Sequence, residues 1–385
     1  MNKIFSKIDF PLFFMMILYI VLGAVMIYSA SNITAVVRYG YAPYHFFVRQ
    51  IIFIVASLFV GFFIVLKVPT SAYKAFAWPL MILLIASLAF LFVYGKITNH
   101  AISWYDLKFF KVQPSEFAKS IIIVFMANYY NRLYNKKAKN LYIYLLPMIL
   151  AGIVVVLVAM QPDLGSAAII AGISFMTFIS IPSVKNNIIK FMKIIIVVCA
   201  IGGIALLYSG NDLLNSMQKG RLNFQNPCSR YTEETGYQVC NGFIAINNGG
   251  LFGVGLGNST QKYLYLPEAH TDFIFPIIVE ELGLVVGILI ILGYVYMLFR
   301  ILKIAKDSEN LRCSILAYGT FWYLTFHILV NLLGVLALVP LTGVPLPLLS
   351  YGGSFTVNAI IMLFVVQQVN IENKKNKTKR EIKAL

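Results

Sequence analysis

Residues 266–299 read LPEAHTDFIFPIIVEELGLVVGILIILGYVYMLF. The second half of this stretch is apolar enough to cross a bilayer, since a spanning helix needs about 20 consecutive residues of that kind. Its first half places Glu268, His270 and Asp272 at the membrane boundary and carries Glu280 and Glu281 into the apolar run. Ionisable groups beside or within hydrocarbon are costly, so they point to function or to a partner inside the fold. The same residues therefore set the fold class and mark a candidate site.

The rest of the chain agrees with a membrane solvent. Of 385 residues 59% are apolar and only 12% charged, and the mean hydropathy is +0.80, outside the range of water-soluble domains. The apolar runs predict an all-α polytopic membrane protein of about ten transmembrane helices, centred near residues 20, 56, 86, 122, 151, 174, 201, 285, 326 and 363. An even number of spans puts both ends on one side. Segments on that side hold 21 Lys and Arg residues and the opposite face nine, so the positive-inside rule predicts cytoplasmic termini. The net charge of +16 fits contact with anionic inner-leaflet lipid. Nucleic acid is not an expected partner, because no soluble module interleaves basic and aromatic residues. The first apolar run lacks a small-residue cleavage site and reads as a signal anchor.

One domain, residues 1–385, accounts for the whole pattern, with a basic cytoplasmic tail at 372–385. Its large extracytoplasmic loop, residues 211–272, falls between helices 7 and 8 and is glycine-rich in its second half. Glycine allows tight turns and close backbone approach to a ligand, which predicts short helices and re-entrant pieces there. A second outward connection, LVPLTGVPLPLLSYGGSF at 338–355, survives at membrane depth only against protein or a wet cavity. Cys228 and Cys240 both fall in the long loop, where an oxidising compartment permits a disulfide. Cys199 and Cys313 read as small apolar residues.

Asp272 stands where aqueous loop meets span. Partial desolvation there favours the protonated carboxyl and equips it to accept a proton near neutral pH; equally, an aspartate in this place caps the following helix. Glu280 and Glu281, deeper on the same helix, call for partners such as Lys119 or backbone amides, or else act directly in catalysis. Glu116 and Lys119 in QPSEFAKS are three apart on one helix face, the spacing of an ion pair. Asp163 in QPDLGSA is a helix cap or a ligand-binding residue. The outward cations Lys108, Lys111, Arg221 and Lys262 have no explanation in the positive-inside rule, and a pyrophosphate-bearing substrate would supply one. His270 is placed to orient Asp272, and His327 reads as a bonded residue inside a span.

These motifs in this order resemble the FtsW/RodA/SpoVE (SEDS) family of bacterial cell-wall polymerases. The matching segments are YSAS at 28–31, Trp104 with QPSEFAK at 113–119, QPDLGSA at 161–167, GYQ at 236–238, GLGNSTQK at 255–262, LPEAHTDFIF, EELG, and PLPLLSYGGS at 345–354. They cover nearly the whole chain. GLGNSTQKYLYLPEAHTDF has the form found in division members, whereas TGVPLP is shared with elongation members. The resemblance implies a glycosyltransferase that polymerises lipid II, undecaprenyl-pyrophosphoryl disaccharide-pentapeptide, at the outer face of the cytoplasmic membrane with inversion at the anomeric carbon. It makes Asp272 the general base, and the reading assigns substrate binding to Trp104, Lys119, Arg221, Gln261, Lys262, Glu268, His270, Ser350 and Gly352. Glu116, Asp163, Glu280 and Glu281 support them.

Two departures from the family pattern stand out. Ser103 occupies the place before Trp104 where members usually carry Arg, and Phe355 follows SYGGS where a second Ser is usual. No covalently bound cofactor is expected; Mg²⁺ or Mn²⁺ could accompany the pyrophosphate, held largely by its own oxygens. The partners implied are a cognate class B penicillin-binding transpeptidase and other divisome proteins. Rival readings are an elongation polymerase, a flippase for the same lipid-linked precursor, and a scaffold without catalysis.

Overall fold

The computed structural model describes residues 7–98, 101–106, 111–136, 141–181, 224–267 and 269–384. In chain order its helices are α1 (Phe10–Val37), α2 (His45–Val60), α3 (Lys74–Tyr94), α4 (Pro114–Asn135), α5 (Leu141–Met160), α6 (Leu164–Ile179), α7 (Glu234–Gly249), α8 (Ile274–Lys306), α9 (Leu311–Val335) and α10 (Gly353–Ala384). All but α7, which belongs to the long loop, coincide with a span read from the sequence. The expected span near residue 201 lies outside the described residues, as do Cys199, Lys108, Arg221 and Glu268. Seven of the described helices are long and apolar enough to cross a membrane by length and composition. Two more sit where spans were expected: α6 is shorter at 16 residues, and the apolar character of α4 is diluted by Glu116, Lys119, Asn128, Asn131 and Arg132.

Helix boundaries follow local chemistry. Asp9 caps α1 by accepting the Leu12 amide at 3.0 Å, with Pro11 in the first turn where no amide donor is needed. Asn310 caps α9 through the Arg312 amide at 3.0 Å. Burial then sorts the helices into layers: 89% of the apolar window of α10 and 61% of that of α9 are buried, against 22% for α5. Helices α9 and α10 thus form the inner wall, with α10 against α2, α8 against α1 and α9, and α4 against α3 and α9. Ile52, Phe59, Leu83 and Val93 point outward on α2 and α3, as a hydrocarbon solvent allows.

Lipid gives no hydrophobic drive for helices to associate, so close approach and polar contacts must hold the bundle. A Cβ on Gly23 of α1 would stand 2.3 Å from the Leu348 carbonyl oxygen, so only glycine lets these segments touch. The Asp9 amide donates to Gln367 Oε1 at 2.8 Å while Gln367 Nε2 donates back to the Asp9 carbonyl at 3.0 Å. Asp9 also pairs with Arg300.

Between α3 and α4 the chain forms a small antiparallel sheet, β1 (Lys96–Thr98), β2 (Ala101–Asp106) and β3 (Lys111–Val112), that no sequence signal predicted. Trp104 lies opposite Lys96 in the register, and the Tyr105 hydroxyl anchors the hairpin by donating to the Ser87 carbonyl at 2.6 Å. In the long loop, Cys228 and Cys240, whose pairing the sequence permits without requiring it, are joined in a disulfide with Cα atoms 4.9 Å apart.

Candidate functional site

The helix that carries the opening motif is broken. Gly283 in α8 has φ 87° and ψ 164°, which ends the helical ladder just beyond Glu280 and Glu281. A break at membrane depth leaves amides and carbonyls that need partners, and the glycine-rich loop supplies them. The Val254 and Gly255 amides donate to the Glu280 and Glu281 carbonyls at 2.9 and 3.0 Å, and the Leu284 and Val285 amides donate to the Gly250 and Leu251 carbonyls at 2.9 and 3.2 Å. The backbones meet so closely that a Cβ on Gly283 would stand 2.3 Å from the Leu251 carbonyl oxygen. The glycine content allows this close approach of loop backbone to helix, although the break it fills was not expected.

The two glutamate side chains fasten the same loop. Glu280 accepts from the Ser259 hydroxyl, from Thr260 through its amide at 3.2 Å and hydroxyl at 2.9 Å, from the Gln261 amide at 3.3 Å and from Asn248 at 3.2 Å. Glu281 forms a buried ion pair with Lys262 at 2.9 Å and accepts from the Ser29 hydroxyl at 2.7 Å. The partner of Glu281 is therefore Lys262, not Lys119. Lys262 Nζ also donates to the Gly257 carbonyl at 2.6 Å and to Ser29 at 3.1 Å, so its three N–H groups are all used. An ammonium has three donors and no more, so in this arrangement Lys262 braces the loop against α8 and α1.

Asp272 is buried immediately before α8. Its Oδ1 accepts the Thr271 hydroxyl at 2.9 Å. Its backbone carbonyl accepts Asn331 Nδ2 at 2.8 Å, and the same amide group reaches the Val344 carbonyl at 2.7 Å. Asn331, on α9, thereby ties Asp272 to the 338–352 connection. On the other side a Cβ at Gly343 would lie only 3.6 Å from Asp272 Oδ2, and Gly343 has φ +69°. Its neighbour Thr342 packs on Gly165 of the QPDLGSA motif, where an added Cβ would come within 2.9 Å of the Thr342 side chain. Asp163 caps α6 through the Ser166 amide at 3.0 Å and takes Gln113 Nε2 on its other oxygen at 3.2 Å. The Gln113 amide in turn reaches Ser354 Oγ at 3.3 Å. Segments from five parts of the chain meet here, which no single motif showed.

His270 sits beside this junction. Its ring packs against Phe46 at 4.6 Å and Tyr351 at 5.6 Å between centroids, and its carbonyl accepts the Tyr351 amide at 2.9 Å. Burial, with a smaller push from the Arg38 guanidinium, lowers its pKa to about 4, so the ring is neutral near pH 7. Arg38, together with Val37, Leu264 and Pro267, lines a cavity of about 330 Å³, and its Nη1 lies 3.4 Å from the Pro267 carbonyl. The Arg49 guanidinium stands near the Tyr351 hydroxyl, where it opposes the rise in the tyrosine's pKa that burial causes. Both arginines stand at the outer ends of α1 and α2; the nearness of Arg38 to His270 and of Arg49 to Tyr351 depends on the fold and leaves no sequence signal.

The remaining candidates divide. Glu116 and Lys119 form the expected ion pair at 2.7 Å, with the Lys119 side chain fully enclosed. Ser350 Oγ accepts the Leu346 amide at 2.8 Å, and Gln50 spans the connection by accepting the Gly352 amide at 3.3 Å and donating to Thr356 at 2.8 Å. Ser350 and Gly352 thus shape the loop, with Gln50 as an unforeseen brace. Gln261 is buried, and its side-chain oxygen has no partner among the described residues. Trp104 is half-buried in β2, and the hydroxyl of its neighbour Ser103 is enclosed without a partner among the described residues. No group of three or more His, Cys, Asp or Glu among the described residues could hold a metal ion.

With this geometry in place, comparison with known proteins is specific. A family model described as "Cell cycle protein" and covering FtsW, RodA and SpoVE matches residues 10–375. The chain is 34% identical to a protein of Bacillus subtilis strain 168 named probable peptidoglycan glycosyltransferase FtsW, over 98% of this chain and 95% of the other. A protein of the same name from Coxiella burnetii is 33% identical over 91% and 93%. Among solved structures, the rod shape determining protein RodA of Thermus thermophilus superposes with a TM-score of 0.66 and 26% identity, covering 94% and 96% of the two chains. A chain from a peptidoglycan synthase complex that coordinates polymerization and crosslinking shares the fold at a TM-score of 0.74 and 23% identity, covering 95% and 98%.

Proposed function

Because the chain belongs to the FtsW/RodA/SpoVE family, we propose that it is a peptidoglycan glycosyltransferase that polymerises lipid II for septal wall synthesis. Relatives named FtsW support division over elongation. The observation that carries the reaction is the position of Asp272, a buried carboxylate at the junction of α8, the 338–352 connection and the QPDLGSA turn. An acceptor sugar hydroxyl attacks the anomeric carbon of the donor and its proton passes to the Asp272 carboxylate. The bond from that carbon to the pyrophosphate oxygen breaks on the opposite face and the electron pair leaves with the pyrophosphate. One displacement of this kind inverts the anomeric centre without a glycosyl-enzyme intermediate.

The leaving pyrophosphate needs positive charge. With Lys262 engaged by Glu281, Arg38 beside its cavity and Arg49 on Tyr351 take that role. A divalent cation would be coordinated chiefly by the pyrophosphate itself. The termini face the cytoplasm and the Asp272 face lies outside, in the inner membrane, with a class B penicillin-binding transpeptidase and other divisome proteins as partners.

The test is polymerisation of purified lipid II by the purified protein with its transpeptidase, crosslinking being blocked by a β-lactam. Glycan strands from the natural chain and none from a folded Asp272→Ala variant support the assignment. Equal product from both removes Asp272 as the base, and no product from either, with the partner bound, removes the enzyme reading.

A further inference from the structure

The face of the bundle that carries the two chain ends holds a cavity of about 540 Å³ whose lining, among the described residues, includes Lys74, Arg132, Lys136 and Arg312 and no acidic residue. We infer that this cavity binds the phosphodiester headgroup of an anionic phospholipid from the leaflet on that side.

The cations come from three helices that end at one level. Lys74 opens α3, Arg132 and Lys136 close α4, and Arg312 stands in the first turn of α9. Elsewhere on this face arginines are matched by carboxylates, Arg300 by Asp9 and Arg380 by Glu309. Among the described residues Lys74, Arg132 and Lys136 have no such ion pair, and Arg312 is engaged only through Nε, which donates to Thr70 Oγ1 at 3.1 Å. The nearby Glu372 carboxylate is occupied by the Thr70 amide and hydroxyl at 2.6 and 2.7 Å. Four positive groups around one cavity repel one another unless an anion joins them, and guanidinium groups bind a phosphodiester through paired N–H donors.

Two observations favour a lipid over a dissolved phosphate. Trp78, whose ring stands edge-on to Phe125 at 4.9 Å, lines the cavity and is 40% exposed; tryptophan in that setting marks the headgroup level of a membrane. Phe76, Leu80 and Leu83 of α3 are exposed along the same helix, a surface for acyl chains. Asn128 lines the cavity on α4 and is fixed there by its side-chain NH₂, which donates to the Val124 carbonyl at 2.8 Å. Basic pockets between helices at the inner membrane surface bind such headgroups.

The experiment uses the full chain in detergent, with short-chain phosphatidylglycerol, phosphatidylcholine and inorganic phosphate as separate probes. Native mass spectrometry and the unfolding temperature are the readouts. Phosphatidylglycerol is expected to remain bound and raise the unfolding temperature, while the other two probes do neither. Arg132→Gln with Lys136→Gln, and independently Lys74→Gln on the facing helix, should weaken retention at least tenfold. Lys377→Gln with Lys379→Gln, exposed on the tail, should leave it unchanged. Retention undiminished in both cavity variants, or equal retention of phosphatidylcholine, overturns the site. Stabilisation by inorganic phosphate equal to that by phosphatidylglycerol overturns the lipid assignment. No glycosyl substrate enters these measurements, so their outcome is independent of the polymerase reading.

Discussion

Asp272 and the pair Glu280–Glu281 lie on one short stretch of chain, yet their surroundings give them different work. The glutamates are enclosed directly beside a break in α8, and their oxygens collect hydroxyls, amides and an ammonium from loop 248–262 and from Ser29. They bind that loop to the broken helix. Asp272 lies away from the break, just before the start of α8, where its carboxylate faces the backbone of Gly343 and its carbonyl is held by Asn331. An acid inside a membrane protein is thus costly in both places; around the glutamates the cost is offset by bonds that hold the loop, and at Asp272 the proposed reaction gives the carboxylate its use.

The sharpest way to break this contrast is to neutralise each acid. Asp272→Asn keeps shape and removes basicity, and should lower the polymerisation rate by about 10²–10⁴-fold, the usual contribution of a general base, with the unfolding temperature unchanged. Lys262→Ala or Glu281→Ala strands a buried charge and should cost about 3–5 kcal/mol of stability, read by thermal unfolding in detergent. Lys262→Met combined with Glu281→Met removes both charges and should recover most of that loss; failure to recover would mean the pair acts in more than bracing.

Next in size is the pH response of His270. Its folded pKa of about 4 lies below the ordinary 6.5, so the unfolded chain binds the proton more readily. Stability is complete above pH 6.5 and declines as pH falls towards 4, by roughly 3 kcal/mol in all. His270→Phe, which keeps the ring packing on Phe46 and Tyr351, should flatten unfolding temperature against pH across that window. Smallest is Gly343→Ala: a left-handed φ costs an alanine about 1–2 kcal/mol, and the added methyl beside Asp272 should reduce activity more than it reduces yield of folded protein.

Much of this was legible in the sequence because it is local. Apolar runs located the described spans, Asp163 capped the helix that follows it, and EELG announced enclosed acids in need of partners. Pairings set by the fold were not legible. Lys262 and Glu281 are separated by 19 positions, and Ser29 reaches them from α1. The break at Gly283 looks from sequence like one more glycine in a long apolar helix; only the loop backbone inserted against it shows why glycine is required. Short strands around Trp104 lack the length of alternation that marks a half-buried strand. Arg38 and Arg49 gain meaning only when α1 and α2 bring them beside His270 and Tyr351.

The most direct test sets Asp272→Asn beside Glu280→Gln, measuring lipid II polymerisation rate and unfolding temperature for each with the transpeptidase present. Loss of rate without loss of stability in Asp272→Asn, and loss of stability in Glu280→Gln with rate per folded molecule retained, is the predicted result. An Asp272→Asn protein that polymerises at the natural rate, or a stable Glu280→Gln protein that does not polymerise, would contradict it.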